Sequence, residues 1–349
     1  MKTPHRSLMV LVAIITVSFI ACSGNKGSSE GVRLQGAGAS FPAPLYQKWF
    51  KSYGASHNGV QIDYQSVGSG SGVKSVIDKT VDFGASDAAM TPEDMAKVDG
   101  GVQLLPMTAG CIVLTYNLKG VTSLKLSRAA YAGIFLGKVK KWNDPLITKE
   151  NPGVTLPDEP VNVVVRADGS GTTFVFTKHL SAISPEFAQS PGVNTLPNWP
   201  VGTRSKGNEG VTASVMMTPG AIGYIEYGYA KSQNLPMAIL ANKSGSFVAP
   251  TTASAQAALA TAQFPENLIA WVPDPDAKDA YPIATYTWLI CYKQYYDKGK
   301  FQVLQDLLTY CVTDGQKESE ALGYIPLPPE VADKAKAAIQ NITLAPNAT

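Results

Sequence analysis

The sequence predicts an α/β protein of two domains. Three observations carry this expectation: a length of 349 residues with 45% hydrophobic and 16% charged side chains, strand-like runs that alternate with helix-like ones, and glycine-rich turns at the junctions between them. The length suits two globular domains of roughly 150 residues each. Alternation of this kind argues for helices layered on mainly parallel sheets. The 31 glycines and 24 prolines follow no period, so they serve turns and close backbone approaches rather than a low-complexity tract. There is no internal repeat.

The chain opens on a targeting segment, residues 1–21. Lys2 and Arg6 form its charged start, and Leu8 to Ala21 is an uncharged apolar run of 14 residues. Such a run is too short for a bilayer core of roughly 30 Å, which takes about 20 helical residues, and it reads as an export signal. It ends in Phe19-Ile20-Ala21-Cys22, which resembles the bacterial lipobox, in which the cysteine is diacylated and becomes the mature N-terminus. Phe19 stands where leucine is usual, and ordinary signal cleavage near the same site is the alternative. Residues 22–31, which continue as SGNKGSSEG, have the composition of a flexible tether.

Beyond the tether, Val60–Val67, Val81–Ser86, Ile112–Tyr116 and Val161–Val165 are β-rich runs, while Pro42–Tyr53, Thr172–Ile183 and Ser254–Ala262 carry helical patterns. Proline-rich junctions break the chain at Asn151–Pro160 and Trp271–Pro282. Within the second, Asp274 and Asp276 lack the rest of a calcium-loop pattern and read as an exposed acidic turn. Cys291 closes the apolar strand-like run from Thr287, and Cys311 ends a helix-like one, so a Cys291–Cys311 disulfide suits an oxidising compartment. The other reading makes Cys111, Cys291 and Cys311 three small buried hydrophobes. With no CxxC, HExxH or Cys/His cluster, neither a metal nor a cofactor is expected.

The formal charge is +2, and once Lys2 and Arg6 are set aside 27 basic residues face 27 acidic ones. A neutral body argues against nucleic acid or an anionic membrane surface as the partner, because both are met by clustered positive charge. An anionic ligand would have to be recognised locally.

Three turns offer such recognition: Gly36-Ala-Gly-Ala-Ser40-Phe41-Pro42, Gly68-Ser69-Gly70-Ser71-Gly72, and Arg166-Ala-Asp168-Gly-Ser170-Gly171-Thr172. Each follows a β-like run and opens a helix-like one. A helix start presents N–H groups without intrahelical partners and a partial positive charge, glycine lets the backbone come close, and a hydroxyl adds a donor. One such turn is an ordinary capped helix. Three of the same chemistry, one with Arg166, point to a converging oxyanion site. Nucleotide patterns do not fit, since Val73 and Phe174 stand where GxGxxG requires its last glycine and no Walker sequence occurs. A serine hydrolase fails as well. There is no GxSxG elbow, and outside the targeting segment the only histidines are His57, in a polar turn, and His179, on a helix.

Val81-Asp-Phe-Gly-Ala-Ser-Asp87 adds a carboxylate to this set. Asp87 alone reads as a cap. Among three anion turns it would repel a fully ionised anion, yet accept a hydrogen bond from one that keeps a proton. That separates hydrogen phosphate from sulfate.

The segments GAGASFPAPLYQKW, YQSVGSGSGVKSVIDKTVDFGASDAAM, GKVKKWNDP, RADGSGTTFVFTKHL and GAIGYIEYGYAK resemble the phosphate-binding component of the bacterial high-affinity phosphate ABC transporter, the PstS family, in order from about Leu34 onward. The resemblance implies a two-lobed periplasmic-binding-protein fold of type II, with dehydrated phosphate in the interlobe cleft. Lobe 1 would be residues 32–116 plus 280–349, and lobe 2 residues 117–279. Carried over position by position, the ligand residues are Ser40, Phe41, Ser69, Asp87, Arg166, Ser170, Gly171 and Thr172, with Asp168 orienting the arginine. The implied protein is a monomer and not an enzyme. It would work outside the cytoplasmic membrane, in the periplasm or at the cell surface, anchored through lipid on Cys22, and would deliver phosphate to a membrane-embedded ABC permease. Cys111 and the Cys291–Cys311 pair depart from the family without touching its motifs. A phosphate-ester hydrolase, or an adhesin or sensor on the same fold, are the alternatives.

Overall fold

A computed structural model describes residues 31–349; the expected export signal, Cys22 and all but the last residue of the expected tether lie outside the described residues. The chain begins β1 (Val32–Gly38), α1 (Ala43–Ser56), β2 (Val60–Ser66), α2 (Ser69–Ile77), β3 (Phe83–Ser86), α3 (Pro92–Met95) and β4 (Val102–Tyr116). Next come β5 (Lys125–Leu126), α4 (Arg128–Phe135), α5 (Pro145–Thr148), β6 (Asn162–Arg166), α6 (Gly171–Ile183), α7 (Pro185–Gln189), β7 (Thr203–Ser205) and α8 (Gly207–Met217). These lead to β8 (Ala221–Glu226), α9 (Tyr227–Ser232), β9 (Ile239–Ala241), β10 (Phe247–Val248) and α10 (Thr252–Leu259). The last stretch holds β11 (Ala284–Tyr292), β12 (Gln294–Tyr295), α11 (Lys298–Val312), α12 (Pro329–Ile339) and β13 (Thr343–Leu344).

The main sheet has eight strands in the order β2-β1-β3-β11-β4-β8-β6-β7. Its ends are parallel, β1 between β2 and β3, and β6 between β8 and β7. Its centre is antiparallel, because β11 opposes both β3 and β4, and β4 opposes β8. The expectation of mainly parallel sheets therefore holds only at the two ends. Strand–helix alternation reveals crossover units, whereas β11 returns to the centre after a long excursion and has no helix of its own to mark it. Both central strands are buried along almost their whole length, as near-continuous apolar runs covered on both faces should be.

Strand β4 changes partner partway. Residues Val102 to Cys111 pair with β11, and Ile112 to Tyr116 with β8. At the changeover the Ile112 N–H donates to Ile283 O at 2.9 Å. Helix α1 closes one end by burying Leu45, Tyr46, Trp49, Phe50 and Tyr53, a stripe at helical spacing. Its Trp49 Nε1 donates to Gly315 O at 2.6 Å, which satisfies the one polar atom of that ring.

Cys111, Cys291 and Cys311 are all free and buried, so the expected Cys291–Cys311 disulfide is not formed. Cys291 is paired within β11 between Phe83 and Gln103, and Cys311 lies near the end of α11. Burial pushes the Cys291 thiol up to about 12, which keeps it protonated and makes it a small apolar filler. The acidic turn also differs from expectation. Asp274 is largely buried and accepts both terminal nitrogens of Arg128 at 2.8 Å, while Asp276 is exposed beside Lys243. Among the described residues no group of three or more His, Cys, Asp and Glu side chains gathers as a metal ion would require, and no helix is long and apolar enough to cross a membrane.

Candidate anion-binding site

Each glycine-rich turn joins a strand to a helix: β1 to α1, β2 to α2 and β6 to α6. The second and third turns touch directly, the Gly70 N–H donating to Gly169 O at 2.9 Å. The contact demands glycine. Gly68 has φ +94°, and a β-carbon there would lie 2.2 Å from Asp168 Oδ2.

The structure brings the sequence-predicted anion ligands together and buries Ser40, Phe41, Ser69, Asp87, Arg166, Ser170, Gly171 and Thr172. Ser69 Oγ accepts from the Gly171 N–H at 3.0 Å and from the Asp87 N–H at 3.3 Å, so one hydroxyl ties the second turn to the end of β3 and to α6. Ser170 caps α6, its Oγ accepting the Thr173 N–H at 3.0 Å. Asp87 Oδ1 accepts from the Thr287 hydroxyl of β11 at 2.8 Å. The Phe41 ring packs edge-on against Tyr324 in the core, which leaves its backbone for the site.

Three tyrosines set the first turn. Tyr64, Tyr229 and Tyr324 donate to the carbonyls of Ala39, Ser40 and Phe41 at 2.6, 2.7 and 2.6 Å. With those carbonyls held, the N–H groups of Ser40 and Phe41 have no acceptor among the described residues and stand ready for a ligand.

The charged pair at the site is Arg166 and Asp168. Arg166 Nε and Nη2 donate to the two Asp168 oxygens at 2.9 and 2.5 Å, and the Gly207 N–H adds a third bond at 3.0 Å. Burial works to raise the Asp168 pKa, but the hydrogen bonds and charge of Arg166 and the Gly207 N–H outweigh it and hold the carboxyl below its usual range. Arg166 Nη1 is buried without a partner. An unsatisfied donor on a buried cation points to a ligand. Burial pushes Asp87 up to about 7, against the lowering effects of Thr287, the Arg166 charge, Ser69 and the Thr172 backbone. The site thus combines many donors with one carboxylate near its switching point, a composition suited to a protonated oxyanion.

The two histidines among the described residues lie elsewhere. His179 is enclosed between the Tyr131 hydroxyl and Pro273 O, at 2.9 and 2.7 Å, and burial drives its pKa down to about 4. His57 stacks on Tyr53 at the surface. Sequence reading missed the three tyrosines, Thr287 and Asn208, the last of which bridges Ser40 and Thr172. Asn208 had a signal. Gly207-Asn208 follows β7 and opens α8, the same strand–turn–helix arrangement as the other three, but β7 has only three residues.

Residues 24–314 match the family model of the PBP superfamily domain. The phosphate-binding protein PstS of Pasteurella multocida is 40% identical over 317 residues, covering 89% of this chain and 90% of that protein. PstS of Xylella fastidiosa is 37% identical over 315 residues, covering 88% and 85%. Among solved structures, a phosphate-binding protein from Stenotrophomonas maltophilia superposes with a TM-score of 0.73 over 88% of this chain and 94% of that one, at 22% identity, and so shares its fold. With its sequence matched along most of its length and its fold shared, the chain belongs to the PstS family of phosphate-binding proteins, within the PBP superfamily.

Proposed function

We infer that this chain binds inorganic phosphate, as hydrogen phosphate, with high affinity outside the cytoplasmic membrane and delivers it to an ABC permease for import. The observation that carries the reading is the buried, unpartnered Nη1 of Arg166 in one site with Asp87. The guanidinium, the N–H groups of Ser40 and Phe41 and the start of α6 supply donors for phosphate oxygens. Asp87 supplies the acceptor for the phosphate proton. In this reading Ser40, Phe41, Ser69, Asp87, Arg166, Ser170, Gly171 and Thr172 hold the ligand, and Asp168 orients Arg166.

Residues 32–116 with 280–349 would form one lobe and 117–279 the other, joined through β4, which pairs with β11 as far as Cys111 and with β8 of the second lobe from Ile112 to Tyr116. Closure would bring the turns of the two lobes around the anion, and the closed form would dock on the permease. The chain would be a monomeric carrier with no covalent step. In support, the hydroxyls of Ser40 and Thr172 both accept from the amide of Asn208, and His57 and His179 lie away from them. Export and lipid attachment at Cys22 rest on the motif in residues 1–22.

Calorimetric titration of the purified chain with phosphate, arsenate and sulfate tests the reading. Phosphate and arsenate should bind and compete, while sulfate should give no heat. A chain that takes up no phosphate would sink it. Loss of phosphate uptake on deletion, and loss of lipid labelling in Cys22→Ala, test delivery and anchoring separately.

A further inference from the structure

Asn208, in the first turn of α8, is fully buried. Its main-chain N–H and its Nδ2 both donate to Ser40 Oγ, at 3.0 and 2.9 Å, and Nδ2 also donates to Thr172 Oγ1 at 3.1 Å. The amide cannot be turned the other way. Its Oδ1 accepts the main-chain N–H of Glu226 at 2.9 Å, and a main-chain N–H can only donate. A hydroxyl has two lone pairs and one proton. Two N–H donors fill the lone pairs of Ser40, so its own proton has to be given away. Thr172 accepts one N–H from the same amide and keeps its second lone pair. Neither hydroxyl proton has an acceptor among the described residues.

We propose that Asn208 is a positioning residue that sets the polarity of the phosphate site, compelling Ser40 to present its hydroxyl proton to the anion and occupying one of the two lone pairs of Thr172. This rests on the phosphate reading above. A free hydroxyl can turn either its proton or a lone pair toward a ligand, and rotation between the two costs binding strength and selectivity. With Asn208 in place the Ser40 hydroxyl adds only a donor, and Asp87 remains the carboxylate acceptor. That division matches an anion rich in acceptors with a single proton to give. An aspartate at 208 would be nearly the same size with the opposite effect. Its oxygens would take the hydroxyl protons, and Ser40 would turn lone pairs toward phosphate.

The test is phosphate titration of the full chain as wild type, Ser40→Ala, Asn208→Ala, the double variant and Asn208→Asp, with the thermal unfolding midpoint of each. Asn208→Ala should bind about tenfold more weakly, and the double variant should be within about threefold of the weaker single variant, because removing the Ser40 hydroxyl removes most of what Asn208 orients. Asn208→Asp should lose about 30-fold or more. An Asn208→Ala loss under about threefold, or single losses that multiply in the double variant, overturns the inference. So does an Asn208→Asp chain that unfolds like wild type and binds as well; if that variant does not fold, the alanine cycle decides. A wild type that takes up no phosphate overturns the phosphate reading and this inference with it, whereas wild-type binding with multiplying losses overturns this inference alone.

Discussion

The carboxylate of Asp87 lies against the α-carbon of Gly171, so closely that a β-carbon there would stand 2.6 Å from Asp87 Oδ2 and 2.6 Å from Ser69 Oγ. Residues from the end of β3 and the start of α2 thereby set how far the N-terminus of α6 can enter the site. Gly171→Ala should push that helix start away, with an overpacking cost of about 1–3 kcal/mol taken largely from binding. Phosphate affinity should fall by roughly tenfold or more while the chain still unfolds cooperatively. Titration and a thermal melt check this, and an unchanged affinity would show that α6 does not approach the anion.

Arg166 spends Nε and Nη2 on Asp168 and keeps Nη1 buried and unpartnered. Arg166→Ala should weaken phosphate binding by about 2–5 kcal/mol, the range for removing one partner of a buried charge pair, and it also strands the Asp168 carboxylate. Arg166→Lys should recover little, because a point charge cannot hold both Asp168 oxygens and reach the ligand as a planar fork can. A change under threefold in either variant would place Arg166 outside the site.

What was legible before the structure follows from how local each signal is. The turns at Ser40, Ser69 and Arg166–Thr172 write strand, glycine, hydroxyl and helix into a few consecutive residues, and all three converge. Asp87 was legible as a carboxylate closing a strand. Tyr64, Tyr229 and Tyr324 were not, because each reaches the first turn from far along the chain and has no pattern of its own. The centre of the sheet was hidden for the same reason, since only pairing between distant parts of the chain puts Trp288 beside both Ser86 and Pro106. Cys291 and Cys311 show the converse. Their local patterns suited a bridge, and packing of each thiol in the core decided otherwise.

His179 gives a pH dependence of stability. Its folded pKa, about 4, is depressed by burial below the 6.5 of an ordinary histidine, so the folded state binds fewer protons than the unfolded one between those values. The stabilisation is full above 6.5 and is lost as pH falls toward 4. Between pH 7 and about pH 5 the loss should be about 2 kcal/mol. Asp87 and Glu226, whose pKa values are raised by burial to about 7 and 8, act in the opposite sense and mask it in the wild type alone. Denaturant unfolding of wild type and His179→Gln at both pH values isolates the histidine's contribution, because the carboxyls are common to both chains. Equal pH slopes would show that His179 ionises inside the fold without penalty.

The last expectation concerns Asp87, a buried carboxylate held by Thr287 at the start of α6, and it turns on counting protons. Below about pH 12 phosphate keeps at least one O–H, and an ionised Asp87 accepts it, so both groups are satisfied. Sulfate has no proton to give and would set its oxygens against a buried carboxylate with nothing between them. Leaving buried polar groups unpaired in this way rejects an analogue by roughly 10⁴–10⁵ fold, far more than the small difference in size between the two anions can supply. In Asp87→Asn the amide oxygen still accepts from phosphate, while the NH₂ can turn and donate to sulfate. Phosphate affinity should fall modestly and sulfate affinity should rise much more. Competitive titration of both chains at one salt concentration and about pH 8 measures the ratio, since Asp87, at about 7, is then mostly ionised in the wild type. A phosphate-to-sulfate ratio that is the same in both chains would mean that Asp87 does not read the ligand proton and serves only to cap α6.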